Sequence, residues 1–320
     1  MENVKRKGIL LVGEPMGLFM AQQEGQLEDV SGYDIAVAGA ELNVSIGLSR
    51  LGHKVSYVTK LGRDFIAKVI VRLMDSAGIS TEFTTFSDDR PSGIMFKSLT
   101  PGGDPDIFYM RKGAAASTLS PADIDAIDFS EYGHVHMTGI APALSDSTRA
   151  AAARLFERAR EEGITISFDP NLRPQLWPSE QAMIEFMNSS AAKADFVLPG
   201  VAEGRLLMGK ADATPEEIAD FYLDLGARCA IVKVGSKGAY FSNGTESGWG
   251  TVYPAKKVVD TVGAGDGFAA GFISAMMEGL PLIDCVSRGN AVGSMQVQVR
   301  GDNEGLPTRE QLSAFMGAEV

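Results

Sequence analysis

Residues 260–272 read Asp-Thr-Val-Gly-Ala-Gly-Asp-Gly-Phe-Ala-Ala-Gly-Phe. Gly263, Ala264 and Gly265 precede a stretch in which Phe268, Phe272 and Met276 recur every fourth residue, so an apolar helical stripe begins where the glycines end. A glycine turn at a helix start leaves backbone N–H groups unpaired. Added to the helix dipole, they make an anion site. Asp266 inside that site would repel a phosphate, so its expected task is to take a proton from a nucleophile. The segment therefore points to phosphoryl transfer onto a hydroxyl, with Asp266 as base and the amides of Gly263, Ala264, Gly265 and Asp266 stabilising charge on the moving group. Helix capping by Asp266, or a turn without a ligand, is the plainer reading. The turn lies near the C-terminus with the wrong glycine spacing for a dinucleotide fingerprint, and no stretch supplies Gly-x-x-x-x-Gly-Lys-Ser/Thr.

Other segments could complete such a site. Gly39-Ala-Glu-Leu-Asn43 offers a backbone N–H at Gly39 and an amide at Asn43 that can donate and accept. Asn43 is either a ligand contact or a buried amide satisfied by the protein. Lys233-Val-Gly-Ser-Lys-Gly238 follows a strand, and Gly235 and Gly238 let backbone approach a ligand or simply turn the chain. Tyr109 and Arg111 have period-two spacing and share one strand face. A guanidinium there, with Arg173, suits a carboxylate on a ligand; surface ion pairing is the other option. His134 and His136 also share a face, but no third ligand at metal spacing accompanies them. Trp177 reads as packing.

These segments together resemble the ribokinase (PfkB) family of sugar kinases. The resemblance rests on Asp260 to Phe268, Gly39 to Asn43, Asp169-Pro-Asn-Leu-Arg173 and Lys233 to Gly238, in the family's order and across nearly the whole chain. It implies ATP and Mg²⁺ as cofactors and admits a monovalent cation. It implies a nucleotide site using Asn171, Glu203, Lys233, Gly235, Gly238, Gly263, Gly265 and Asn290, with Glu203 reaching Mg²⁺ only through water and no direct metal ligand. Asn290 is equally readable as a solvated side chain. Gly200 departs from the family pattern, which has a polar residue there. The substrate residues implied are Gly39, Asn43, Tyr109, Arg111, Arg173, Asp266 and Asp302. Tyr109-x-Arg111 and Gly301-Asp-Asn-Glu-Gly-Leu-Pro307 look most like the members that phosphorylate 2-keto-3-deoxygluconate at its terminal 6-hydroxyl. A fructokinase or other neutral-sugar kinase remains an alternative, as does a non-catalytic sugar- or nucleotide-binding regulator.

These groups need a scaffold. The chain has 320 residues, of which 45% are hydrophobic, enough for a substantial core. From residue 130 strands and helices alternate: strands at 134–141, 164–169, 195–199 and 229–234, helices at 145–163, 179–194 and 214–226. This predicts an α/β fold, and the resemblance makes it a ribokinase-like three-layer sandwich with a mostly parallel central sheet. One unit spans residues 1–320. Two turn-rich, strand-like regions, about 14–37 and 90–112, interrupt the alternation and predict a small β-sheet lid, through which the family often dimerises. The second reads as a hairpin, 91–99 with 106–111.

A net charge of −12 argues against nucleic acid and anionic membrane surfaces as partners. The expected partners are a small sugar acid, ATP and a second copy of the chain. The first apolar run, Gly8 to Gly13, is too short for a signal segment. Cys229 and Cys285 sit in apolar stretches as buried thiols, and the expected location is the cytoplasm.

Overall fold

Gly8-Ile-Leu-Leu-Val12 is apolar throughout, the pattern of a strand covered on both faces. In the computed structural model, which describes residues 7–100 and 105–317, this is strand β1 (Gly8–Val12). Ile9 and Leu11 enter one core and Leu10 and Val12 the other. The chain then forms β2 (Met16–Glu24), β3 (Tyr33–Ala38), helix α1 (Ala40–Arg50), β4 (Val55–Gly62), α2 (Phe65–Ser76), β5 (Thr84–Ser87), β6 (Gly93–Leu99) and β7 (Ile107–Met110). Next come α3 (Pro121–Asp125), β8 (Tyr132–Thr138), α4 (Asp146–Glu161), β9 (Thr165–Asp169), α5 (Glu180–Ala191), β10 (Phe196–Val197), α6 (Val201–Met208) and α7 (Pro215–Leu225). The remainder is β11 (Cys229–Lys233), β12 (Ala239–Ser242), β13 (Ser247–Trp249), α8 (Ala264–Met277), α9 (Leu282–Gln296) and α10 (Arg309–Gly317).

The central sheet runs β13-β12-β11-β10-β9-β8-β1-β4-β5, parallel except for the antiparallel edge β11-β12-β13. Residues of α1, α2, α8 and α9 fill one core, and those of α4, α5 and α7 the other. The three-layer α/β expectation holds. A second sheet, β3-β2-β6-β7, gathers the two regions that interrupted the alternation. β6 and β7 pair antiparallel as the expected hairpin, whose turn at 101–104 lies outside the described residues. Thr214 and Glu217 form a capping box at the start of α7: Glu217 Oε2 accepts from Thr214 N at 2.9 Å, and Thr214 Oγ1 accepts from Glu217 N at 3.3 Å.

Two boundaries differ from the sequence reading. β8 begins at Tyr132 and stops at Thr138, because Thr138 Oγ1 turns back to accept from Ile140 N, and Pro142 follows in a 3-10 turn. The strand expected over 195–199 is regular only at Phe196 and Val197. Trp177 packs as expected, against Phe186 and under Arg149. His134 and His136 both hydrogen-bond Ser167 Oγ, and burial pushes their pKa values down to about 3. Cys229 and Cys285 are free and buried. Among the described residues no helix is long and apolar enough to cross a membrane.

One packing contact sets the site's geometry. At Gly47 of α1, an added Cβ would lie 2.6 Å from the Ala270 Cβ of α8, so the two helices touch through their smallest residues. One turn away along each helix are Asn43 and Asp266. Replacing Gly47 by leucine is expected to destabilise the fold by about 1–3 kcal/mol through overpacking. It should also separate Asn43 from Asp266. Denaturant midpoints and kcat, measured together, check both effects; a variant as stable and active as the parent contradicts the contact.

Candidate active site

The C-terminal ends of parallel strands are where open α/β sheets hold ligands. A cavity of about 310 Å³ lies beyond Asp169 and Lys233, at the ends of β9 and β11, and the inner face of the small sheet roofs it with Met16, Ala38, Met95, Ile107 and Tyr109. Gly39, Asn43, Arg111, Asn171, Arg173, Glu203, Gly263, Ala264, Gly265, Asp266 and Asp302 also line it. Gly235, Gly238 and Asn290 do not. They form a neighbouring group, in which a Cβ on Gly238 would lie 2.9 Å from Asn290 Nδ2. Asn290 is not a solvated side chain: it is buried on α9 and donates to Thr251 O at 3.0 Å.

The glycine turn has the form its sequence predicts. Gly263 caps α8 with φ +78°, and a Cβ there would lie 2.3 Å from Asp302 O, so both backbone conformation and space demand glycine. Ala264 N reaches back to Thr261 O at 3.4 Å, and the N–H groups of Gly265 and Asp266 follow at the helix start, where no preceding helical turn supplies carbonyls. A Cβ on Gly265 would lie 3.5 Å from Lys233 Nζ, so an ammonium group stands before the turn. Lys233 is ion-paired with Asp169. Burial lifts the Asp169 carboxyl above its usual range, against the pull of Lys233. Asp169 Oδ1 also accepts from Asn171 N at 3.2 Å, and Asn171 has φ +37°, the one positive φ outside glycine among the described residues.

Asp266 is buried at the start of α8. Burial raises its pKa to about 7; the Asn43 hydrogen bond opposes this, and nearby Asp169 adds to it. A base with a pKa near neutrality can accept a proton and release it again. Asn43 Nδ2 donates to Asp266 Oδ2 at 2.8 Å, while Asn43 Oδ1 accepts from Asn303 Nδ2 at 3.1 Å. Both ends of the Asn43 amide are thus used inside the protein. Asn43 also lines the cavity, and its hydrogen bond fixes the orientation of the Asp266 carboxylate.

Three further candidates have partners within the protein. Arg111 is not a free clamp, because its Nε donates to Glu14 Oε2 at 2.7 Å, both residues are buried, and its guanidinium lies 5.6 Å from the Tyr109 ring centroid. Glu203 accepts from Leu172 N at 2.8 Å and from Gly200 N at 2.7 Å, so its carboxylate first holds the cavity wall and the start of α6. Asp302 accepts from Lys97 Nζ at 3.2 Å. Arg173 has no carboxylate partner among the described residues; its Nη1 donates to Leu172 O at 2.8 Å. Sequence reading passed over Glu14, Glu41, Lys97 and Asn303. Lys97 had a signal, a charged residue on an otherwise apolar face of a strand. Glu14 had one also, an acid directly after the first buried strand.

A buried carboxylate with a pKa near 7, beside an amide-lined turn and over a small cavity, suits an enzyme that moves a phosphoryl group onto a hydroxyl. The description "pfkB family carbohydrate kinase" matches residues 6–309, and the chain belongs to that family. It is similar to the 2-dehydro-3-deoxygluconokinase of Bacillus subtilis (strain 168), 45% identical over 308 residues that cover 96% of this chain and 94% of the relative. The 2-dehydro-3-deoxygluconokinase of Thermoproteus tenax is 31% identical over 97% of this chain and 94% of its own length. A PfkB protein from Polaromonas sp. JS666, known from its crystal structure, superposes with a TM-score of 0.87 at 40% identity, covering 96% of this chain and 99% of that one.

The pKa of Asp266 yields two expectations. Its folded value, about 7, lies above the ordinary 3.8, so the folded state binds the proton more tightly than the unfolded state. Stability therefore falls as pH rises from near 4 to near 7. Asp266→Asn removes that cost and should unfold no more easily than the parent at pH 8, with a gain of up to about 4 kcal/mol, while losing at least about a thousandfold in kcat. A variant that keeps most of its kcat would falsify the base assignment. Asn43→Ala removes the bond that lowers the Asp266 pKa, so the acid limb of the kcat/KM profile should move to higher pH. An unmoved limb would mean that Asn43 does not tune the base.

Proposed function

We propose that this carbohydrate kinase transfers the γ-phosphoryl group of ATP to the terminal 6-hydroxyl of 2-keto-3-deoxygluconate, also called 2-dehydro-3-deoxygluconate. The observation that carries the reading is the joint presence of Arg111 and Arg173 in one cavity with Asp266. Glu14 neutralises one guanidinium, and the other is left for the carboxylate of a sugar acid. The names of the two curated relatives support the same substrate. With the acid end at Arg173, the far hydroxyl lies toward Asp266. Asp266 takes its proton, the hydroxyl oxygen attacks the γ-phosphorus in line, and the turn amides and Lys233 hold the charge that develops.

The nucleotide's phosphates fit the turn at 263–266, and the group formed by Gly235, Gly238 and Asn290 suits the rest of the nucleotide. Asp169 is committed to Lys233 and Glu203 to two amides, so this donor set fits a hydrated Mg²⁺ carried on the phosphates. That ion supplies charge neutralisation when bound. The small sheet acts as the lid, roofing the sugar and excluding water that would hydrolyse ATP. Its outer face exposes Ile35, Phe108 and Met110, which supports self-association through this sheet. Buried free thiols agree with a cytoplasmic location.

A coupled ADP-release screen of 2-keto-3-deoxygluconate, fructose, ribose and adenosine tests the substrate. A tenfold preference for fructose in kcat/KM would overturn the sugar-acid reading. Arg173→Lys keeps the charge and loses the planar fork. It is expected to raise KM for the sugar acid by about tenfold while leaving KM for ATP within about twofold. Equal effects on both would count against a carboxylate contact. Arg111→Ala is the poorer test, because it strands buried Glu14 and destabilises the fold by about 3–5 kcal/mol.

A further inference from the structure

Lys97 is a lysine where an apolar residue would be expected. It follows Met95 at period two on the inner face of β6, and it is 4% exposed. Its ammonium lies 2.6 Å from Asp260 Oδ2 and 3.2 Å from Asp302 Oδ1. Both carboxylates belong to the walls of the anion turn. Asp260 Oδ1 accepts from Val262 N at 3.1 Å, and Asp260 Oδ2 accepts from Gly301 N at 3.2 Å. The carbonyl of Asp302 is the group that excludes a Cβ at Gly263. The two strands of chain that shape the turn, 260–263 and 301–302, are therefore held together around one positive charge.

Two facing buried carboxylates are not stable without a cation between them. Membership of this kinase family admits a monovalent ion near the site. At this acid pair the position between the carboxylates is filled by the protein's own ammonium. We propose that Lys97 is the resident cation of the anion turn, taking the place of a bound monovalent ion and holding Asp260 and Asp302 in the geometry that the turn requires. Lys97 is thus a positioning residue, and because it rides on the small sheet it ties the turn to the roof of the cavity. The effect on turnover rests on the phosphotransfer reading; the effect on the turn's stability does not.

The test varies the salt at constant ionic strength, with tetramethylammonium chloride as the inert reference, and reads thermal midpoint without substrates alongside kcat. For the unaltered protein, midpoint and kcat should agree within about twofold or a degree between potassium, sodium and tetramethylammonium, because no ion-binding equilibrium is linked to folding. Lys97→Ala should lose about a hundredfold in kcat and roughly 5 °C in midpoint. Ethylammonium or propylammonium chloride, whose cations fill the vacated space, should restore a substantial part of both. Adding Asp260→Asn to Lys97→Ala should abolish that response. Three results would each overturn the proposal: potassium activating or stabilising the unaltered protein several-fold, Lys97→Ala behaving as the parent, or its losses being untouched by every small cation. Should Lys97→Ala fail to fold, the ion titration of the unaltered protein decides. If no sugar is turned over in any salt, the kinase reading fails while the midpoints still judge Lys97.

Discussion

The hydrogen bond from Asn43 to Asp266 is the constraint on which the active site depends. It joins α1 to α8 across 223 residues of sequence. It exists because Gly47 and Ala270 allow the helices to touch one turn away. It fixes which oxygen of the buried carboxylate faces the protein and leaves the other toward the cavity. Without it, Asp266 would be a buried carboxylate with neither a fixed orientation nor a hydrogen bond lowering its pKa. The remaining groups are arranged around that oxygen: the amides of the turn, the ammonium of Lys233, and two arginines across the cavity.

The electrostatics of the cavity follow a consistent rule. Nearly every buried acid is assigned to a partner of its own: Glu14 to Arg111, Asp169 to Lys233, Asp260 and Asp302 to Lys97, and Glu41 to the Thr138 hydroxyl. Asp266 receives only a neutral amide. A neutral donor stabilises an anion less than an ammonium or guanidinium does. Burial raises the Asp266 pKa to about 7 and that of Asp169, even beside Lys233, to about 6, and Arg173 is the cavity cation without a carboxylate partner among the described residues. A reaction that needs one proton acceptor and one anchor for a carboxylate finds one of each.

Much of this was legible in the chain. Gly263 and Asp266 were readable because the turn, its helix and the carboxylate lie within a few residues. The parallel sheet was readable from alternating periodicity, and the small sheet from its interruption. The pairings were not readable. Glu14 and Arg111 are 97 residues apart, and Lys97 and Asp302 are 205 apart. Local spacing carries no information about which element a topology sets opposite another. For the same reason the ties of Asn43 to Asp266 and Asn303 were not readable, since the two partners are 223 and 260 residues away. Asn290 was equally readable as a solvated side chain and as a nucleotide contact, because its burial depends on the turn before β12 and the segment after β13.

The segment 300–303 has a consequence for how the molecule comes into being. Arg300 donates to Ala21 O, Asn303 donates to Val37 O and to Asn43, and Gly301 donates to Asp260. This one short stretch stitches the first 45 residues to the last 60. Contacts of such sequence separation are the slow and late ones in folding, since the entropy of closing the loop is spent before they form. During synthesis, the sheet and its helices can assemble while the polypeptide is still growing. The cavity cannot, because the segments that complete its wall, 260–266 and 301–302, are made after every strand of both sheets. Competence to bind and to react thus arrives as one late event, after the scaffold is already in place.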